Sequence, residues 1–195
     1  MRLFIALDID DPIRERIKLF MNGVSGFAPE GRWLKPESLH VTLKFIGEKS
    51  AETVDAITKA LSGVQAPPFE ITFRGSGFFP NPKAPRVFWV GIESGPALPT
   101  LASAVDNAMA TCGVPKETHA FSPHLTLALG GRGSGAPTRQ KGDGPNKIFQ
   151  RLQEKLAARA VPEFGTMTAH DFFLYQSQLS PGGSRYTKLE RFPLR

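Results

Sequence analysis

His40-Val41-Thr42-Leu43 and His124-Leu125-Thr126-Leu127 are nearly one tetrapeptide written twice, once in each half of the chain. The first lies in Leu39–Ile46, a run of β-formers closed by Gly47. The second lies in Phe121–Leu129, closed by Gly130. Both runs read as strands. Successive side chains of a strand alternate between its faces, so each histidine shares a face with the threonine two positions on. Val41 and Leu43, like Leu125 and Leu127, then fall on the opposite face and point into a core. The pattern predicts two strands, each offering an imidazole and a hydroxyl from an apolar backing.

The elements around the repeat follow from periodicity. Arg2 to Ile9 is a short apolar run of strand length, closed by Asp10-Asp11-Pro12. Ile13, Ile17, Phe20, Val24 and Phe27 recur at three- and four-residue steps, as one face of a helix does. Val54, Ile57, Leu61 and Val64 form a second such stripe, and Leu98, Leu101, Val105 and Met109 a third. Phe69–Phe79 and Arg86–Ile92 read as strands separated by the turn-rich segment 80–85. Gly130–Asn146 holds six glycines and two prolines and is predicted as an exposed, mobile loop. A helix over Ile148–Ala158 follows. Strands over Ala169–Leu179 and Ser184–Phe192 come last, joined as a hairpin by Pro181-Gly182-Gly183. No linker divides the chain, so residues 1–195 are expected to form a single α+β domain with antiparallel sheets.

Composition narrows the setting. The chain has 195 residues, 41% of them hydrophobic and 22% charged, as expected of a globular protein with a sizeable core. The leading apolar run, Leu3–Leu7, is too short for a membrane span or a signal h-region. One cysteine, Cys112, excludes an internal disulfide and any cysteine-rich metal knot. The expectation is a reduced, cytoplasmic protein. The formal net charge of +6 is unevenly placed. Residues 131–195 hold eleven basic and five acidic side chains, whereas residues 1–130 balance. Such asymmetry points to an anionic partner such as a nucleic acid, or to charge serving solubility alone.

Histidine titrates near neutral pH, so two imidazoles facing one pocket can act as general base and general acid together. Two hydroxyls beside them can hydrogen-bond the non-bridging oxygens of a phosphate. Opening a cyclic phosphodiester requires this set: activation of water, protonation of the leaving alkoxide, and donors for the charged oxygens. A lone histidine in a strand is ordinarily structural; two in matching His-x-Thr-x settings, among only four histidines, are hard to reach through packing. His119 and His170 carry no such context. No helical His-x-x-x-His or carboxylate cluster suggests a metal site, so neither metal nor cofactor is expected. Gly130-Gly131-Arg132-Gly133-Ser134-Gly135 lacks the Gly-Lys-Ser/Thr ending of a phosphate-binding P-loop and reads as a lid or surface loop. Of the aromatics Phe45, Phe78, Phe79, Trp89, Phe172 and Phe173, most are assigned to the core, and one or two at a cleft rim could stack on a base, without the sequence saying which. Arg185 and Tyr186 in the hairpin are candidate substrate contacts.

The two motifs resemble those of the 2H phosphoesterase superfamily, and the surrounding sequence resembles its RNA 2′,3′-cyclic phosphodiesterase (2′-5′ RNA ligase-like) branch. Arg2-Leu3-Phe4-Ile5-Ala6-Leu7 is similar to that branch's opening strand, and Arg32-Trp33 with Pro36–Gly47 to its first motif segment. Phe79-Pro80-Asn81-Pro82, Pro85-Arg86-Val87, Phe121–Leu127, Ser177-Gln178-Leu179 and Gly183–Thr187 extend the likeness over nearly the whole chain. The resemblance implies two similar lobes related by a pseudo-twofold axis around a central cleft, with helices outside. It implies hydrolysis of RNA 2′,3′-cyclic ends to 2′-phosphomonoesters without metal or cofactor, by a monomer. His40 would be proton donor and His124 proton acceptor, with Thr42 and Thr126 on the phosphate; RNA, oligonucleotides and cyclic nucleotides would be the partners. The alternatives are the reverse reaction, 2′-5′ ligation, and a non-catalytic RNA-binding module. One position departs: the family's second motif usually continues to a basic residue, where this chain has Leu129. Arg132, Arg139 and Lys141 are the nearest candidates to replace that cation.

Overall fold

A computed structural model describes residues 1–131 and 134–195. Among the described residues, nine strands form two antiparallel sheets, with four α-helices. The strands are β1 (Arg2–Leu7), β2 (Arg32–Trp33), β3 (Val41–Glu48), β4 (Phe69–Phe79), β5 (Val87–Glu93), β6 (His124–Leu129), β7 (Glu163–Ala169), β8 (Asp171–Ser180) and β9 (Gly183–Pro193). The helices are α1 (Asp11–Val24), α2 (Ala51–Ser62), α3 (Ala97–Ala110) and α4 (Gln150–Ala157). One sheet runs β3-β1-β8-β9 and the other β2-β6-β5-β4-β7. The α+β class and its antiparallel sheets are as expected, and each sheet carries one of the repeated motifs.

One apolar core joins both sheets. Ile5 and Val41 from the first meet Phe88 and Leu125 from the second, Ile17 of α1, Val105 of α3 and Leu152 of α4. β1 shows how a strand can be apolar throughout. Leu3, Ile5 and Leu7 enter the main core, while Phe4 and Ala6 join Tyr175 in a small second cluster on the other face. That second cluster is the floor from which the first motif works.

Two strands escaped the sequence reading. β2 has only two residues, too few to show a period, and exists by pairing Arg32 with Leu129 and Trp33 with Ala128. In β7 the buried Phe164, Met167 and Ala169 are out of step because Gly165 sits between them at φ +106. A Cβ there would come within 2.5 Å of the Arg16 guanidinium. Arg16 donates from Nη1 to the Phe164 carbonyl at 2.9 Å, so the break in alternation is where α1 ties onto the strand. Of the six aromatics weighed for the core, Phe172 is buried, whereas Phe45 on the edge strand β3 is 56% exposed.

The segment after β6 is more constrained than its glycines suggest. Arg86, 4% exposed, donates to the carbonyls of Ser134, Ala136 and Thr138 and pairs through Nε with Asp143 at 2.9 Å. A buried guanidinium is tolerable only when its donors are satisfied and its charge is paired, and this loop supplies both. Residues 134–143 are therefore wrapped around a cation, which corrects the expectation of a loose loop. Arg132, one candidate substitute for the missing motif cation, lies outside the described residues.

Candidate active site

His40 ends the extended Leu39 segment immediately before β3, and His124 begins β6. β3 and β6 pack beside each other although they belong to different sheets, which brings the two motifs to one cleft. The predicted alternation holds: Val41, Leu43, Leu125 and Leu127 are buried, while His40, Thr42, His124 and Thr126 are half-buried. Thr42 lies opposite Ala6 on β1, Thr126 opposite Trp89 on β5, and His124 opposite Gly91.

The two imidazoles are held in the same way. His40 Nδ1 lies 2.8 Å from the Ser38 carbonyl, and His124 Nδ1 lies 2.7 Å from the Ser122 carbonyl. A carbonyl can only accept, so each Nδ1 carries a hydrogen and each Nε2 is left as the nitrogen that gains or loses a proton. The repeat is thus longer than the tetrapeptide: Ser38-Leu39-His40 matches Ser122-Pro123-His124 at the same offset. The signal was present in the sequence, but only the backbone oxygen of each serine is used, which serine's side chain does not reveal.

Aromatic rings dehydrate both histidines. Phe4 lies 4.8 Å from the His40 ring and Tyr186 5.1 Å from it edge-on, with Tyr175 stacked at 5.0 Å on Phe4. Burial therefore pushes the His40 pKa down from 6.5 to about 4; the Ser38 carbonyl and Asp8 pull it up, and Arg14 and His124 press it further down. His124 meets Phe79 edge-on at 4.9 Å, and burial lowers its pKa too, against the Ser122 and Gly135 backbone.

Beside His40 opens a cavity of about 450 Å³ lined by Asp8, Arg14, Tyr175, Arg185, Tyr186 and Lys188 among others. Arg14 Nη2 and Lys188 Nζ both reach the Asp8 carboxylate, at 2.6 and 2.5 Å. Burial pushes Asp8 up, but Lys188, the Ile9 N–H and Arg14 outweigh it and hold the carboxyl below the usual range. Arg14 also donates to the carbonyls of Pro36 and Leu39, so it fixes the segment that delivers His40. Asp8, Arg14, Tyr175 and Lys188 carry no motif in the sequence, whereas Arg185 and Tyr186, the candidate substrate contacts of the hairpin, both line the cavity. His119 and His170 are exposed and outside it.

At the position of the family's basic residue, Leu129 lies under the loop. A Cβ on Gly135 would be 3.9 Å from Leu129 Cδ2 and 3.7 Å from Thr126 Oγ1. Arg139 and Lys141 are exposed on the same loop. Among the described residues, no group of three or more His, Cys, Asp or Glu side chains is placed to hold a metal ion. No helix among them is long and apolar enough to cross a membrane.

Two strands from two antiparallel sheets, each presenting a carbonyl-pinned imidazole and a threonine hydroxyl to a common cleft, are the arrangement of a two-histidine (2H) phosphoesterase. The chain belongs to the LigT-like phosphoesterases within that class: the family model described as LigT like Phosphoesterase matches residues 7–89, and full-length relatives extend the match. An RNA 2′,3′-cyclic phosphodiesterase of Archaeoglobus fulgidus is 36% identical over 98% of this chain and 99% of its own length. One from Methanothermobacter thermautotrophicus is 31% identical over 100% and 99%. The crystal structure of Escherichia coli LigT complexed with 3′-AMP superposes with a TM-score of 0.76 at 29% identity, covering 99% of this chain and 97% of that one. The chain is accordingly an enzyme.

Proposed function

We propose that the protein hydrolyses RNA 2′,3′-cyclic phosphodiester ends to 2′-phosphomonoesters by a metal-independent two-histidine mechanism. The observation that carries this reading is the matched pinning of both Nδ1 atoms, which leaves two Nε2 atoms in one cleft as a proton acceptor and a proton donor. His124 takes a proton from water as its oxygen attacks phosphorus. The bond from phosphorus to O3′ breaks, and His40 donates its proton to the departing O3′, leaving the phosphate on O2′. Thr42 and Thr126 donate hydrogen bonds to the non-bridging oxygens, where negative charge builds up in the transition state. An empty cleft keeps His40 neutral; a bound phosphate anion beside the ring favours its protonated form and loads the donor. The relatives named RNA 2′,3′-cyclic phosphodiesterase support the substrate class. The single, half-buried thiol, Cys112, fits a reduced cytoplasmic setting, and a monomer supplies both motifs.

The test is incubation with a 2′,3′-cyclic mononucleotide in EDTA, with the product resolved as 2′- or 3′-monophosphate. The 2′-monophosphate is expected. Loss of turnover in EDTA, or formation of the 3′-isomer, overturns the mechanism.

A further inference from the structure

Lys147, Arg151, Lys155 and Arg159 recur at intervals of four along and just beyond α4, and all four are exposed. Within α4, Arg151 and Lys155 stand one turn apart on one face, about 6 Å of helix rise, and Lys147 and Arg159 flank the two ends of the helix. Spacing of this order is that of successive phosphates in an extended single strand. Arg151, Lys155 and Arg159 gather over a single ring, Phe27, at 5.4, 5.5 and 5.9 Å from its centroid. An aromatic face attracts cations without neutralising them, and the three remain crowded there. None of the four enters an ion pair with a carboxylate among the described residues; the nearby Glu154 is instead contacted by Gln150 at 3.5 Å. Lys147, Gln150, Arg151, Glu154 and Lys155 line a shallow depression of about 440 Å³.

This face is joined to the His124 side of the cleft. Phe79, whose ring touches His124, leads into the 80–85 loop, where Lys83 is exposed. Gln153 of α4 donates to the Pro82 carbonyl at 2.8 Å, and Asn146 to the Pro85 carbonyl at 3.0 Å. The loop thus bridges from the His124 ring to the basic row. A 2′,3′-cyclic phosphate is the 3′-terminal group of its RNA, so the strand continues from the site only in the 5′ direction.

Resting on the function proposed above, we infer that the α4 face is the track for the RNA backbone upstream of the cyclic end. The phosphates of the 5′-flanking nucleotides leave the cleft past Phe79 and Lys83 and lie along Lys147, Arg151, Lys155 and Arg159. The contacts are electrostatic and read no base.

The experiment compares the native protein with the triple variant Arg151→Gln/Lys155→Gln/Arg159→Gln and the charge-keeping control Arg151→Lys/Arg159→Lys. Turnover of a 2′,3′-cyclic mononucleotide and of a short oligoribonucleotide with a 2′,3′-cyclic end is measured from 50 to 200 mM salt. Binding of the same oligonucleotide ending in a 2′-phosphate is followed by fluorescence anisotropy. Each single-strand phosphate contact contributes about 0.7 to the slope of log affinity against log salt. Removing three cations should therefore lower that slope by about 2, so the native protein loses about 16-fold more affinity across that range. The control should keep the native slope, and mononucleotide kcat/KM should be equal in all three proteins. An unchanged slope in the triple variant overturns the track, and so does an equal loss on mononucleotide and oligonucleotide. Loss of affinity for a poly-glutamate peptide with oligonucleotide affinity intact assigns the face to a protein partner and also overturns it. If the native protein turns over neither substrate, the proposed reaction fails, while the anisotropy slopes still decide the track.

Discussion

Acidification should destabilise this fold through His40, by an amount that follows from its surroundings. Packed among Phe4, Tyr175 and Tyr186, the folded ring takes up a proton only near pH 4, whereas in the unfolded chain it does so near 6.5. The folded pKa lies below the unfolded one, so the unfolded chain binds more protons in the interval and stability falls as pH falls. The contribution is fully present above about pH 6.5 and is progressively lost down to about pH 4. The gap corresponds to about 3 kcal/mol, a large part of the stability of an ordinary domain. Denaturant unfolding of the native protein and of His40→Gln, measured at intervals between pH 7 and 4, isolates the contribution. The variant should show a pH dependence shallower by about that amount, with what remains coming from His124, which shifts in the same direction, and from carboxylates. Inorganic phosphate seated in the cleft places negative charge beside the ring, raises its folded pKa and narrows the gap. Phosphate should therefore stabilise the native protein more at pH 5 than at pH 7. Parallel pH profiles for the native protein and His40→Gln, or an NMR titration placing His40 near 6.5, would refute the idea that this cleft desolvates its imidazole.

Further outcomes follow from the same geometry. His40→Ala and His124→Ala should each lower kcat by about 10²–10⁴, and the double change by less than the product. His124→Ala should flatten the acidic limb of the pH–rate profile and His40→Ala the alkaline limb, while substitutions of the exposed His119 and His170 leave turnover near native. Thr42→Val and Thr126→Val keep strand shape but remove the hydroxyl; each should reduce kcat/KM on a cyclic mononucleotide by about tenfold, the scale of one hydrogen bond to a charged oxygen. Arg86→Gln should release residues 134–143, read as faster amide exchange and proteolysis confined to that segment, and unchanged exchange there removes the guanidinium as its organiser.

The readable parts of this molecule are those governed by period. The four helices and seven of the strands were visible because apolar residues recur at helical steps or because β-formers gather between turn signals. The motif faces were visible because alternation is a property of any strand, and the burial of Val41, Leu43, Leu125 and Leu127 follows it. What escaped depends on contacts made from far away. β2 is a strand only because β6 lies next to it, and Gly165 interrupts β7 because Arg16 comes from α1 to meet it. Arg14 delivers His40 through the Pro36 and Leu39 carbonyls, and no local pattern announces a cation that binds backbone oxygens elsewhere.

The same distinction accounts for Leu129. Read alone, it is a cation lost from a motif, leaving the His124 side poorer in charge. In three dimensions the position cannot be treated separately from the loop above it. Leu129 offers an apolar surface to Gly135, and Gly135 is held there because Arg86 draws Ser134, Ala136 and Thr138 around its guanidinium. A charged side chain at 129 would have to be desolvated beneath that loop or push it away, either at a cost of several kcal/mol for an unpaired ion. The cleft is consequently asymmetric. Arg14, Arg185 and Lys188 surround the cavity on the His40 side, whereas His124 faces the Phe79 ring and the Ser122 and Gly135 backbone. In the proposed reaction negative charge develops on the leaving oxygen next to His40, so the cations stand on the side where that charge appears.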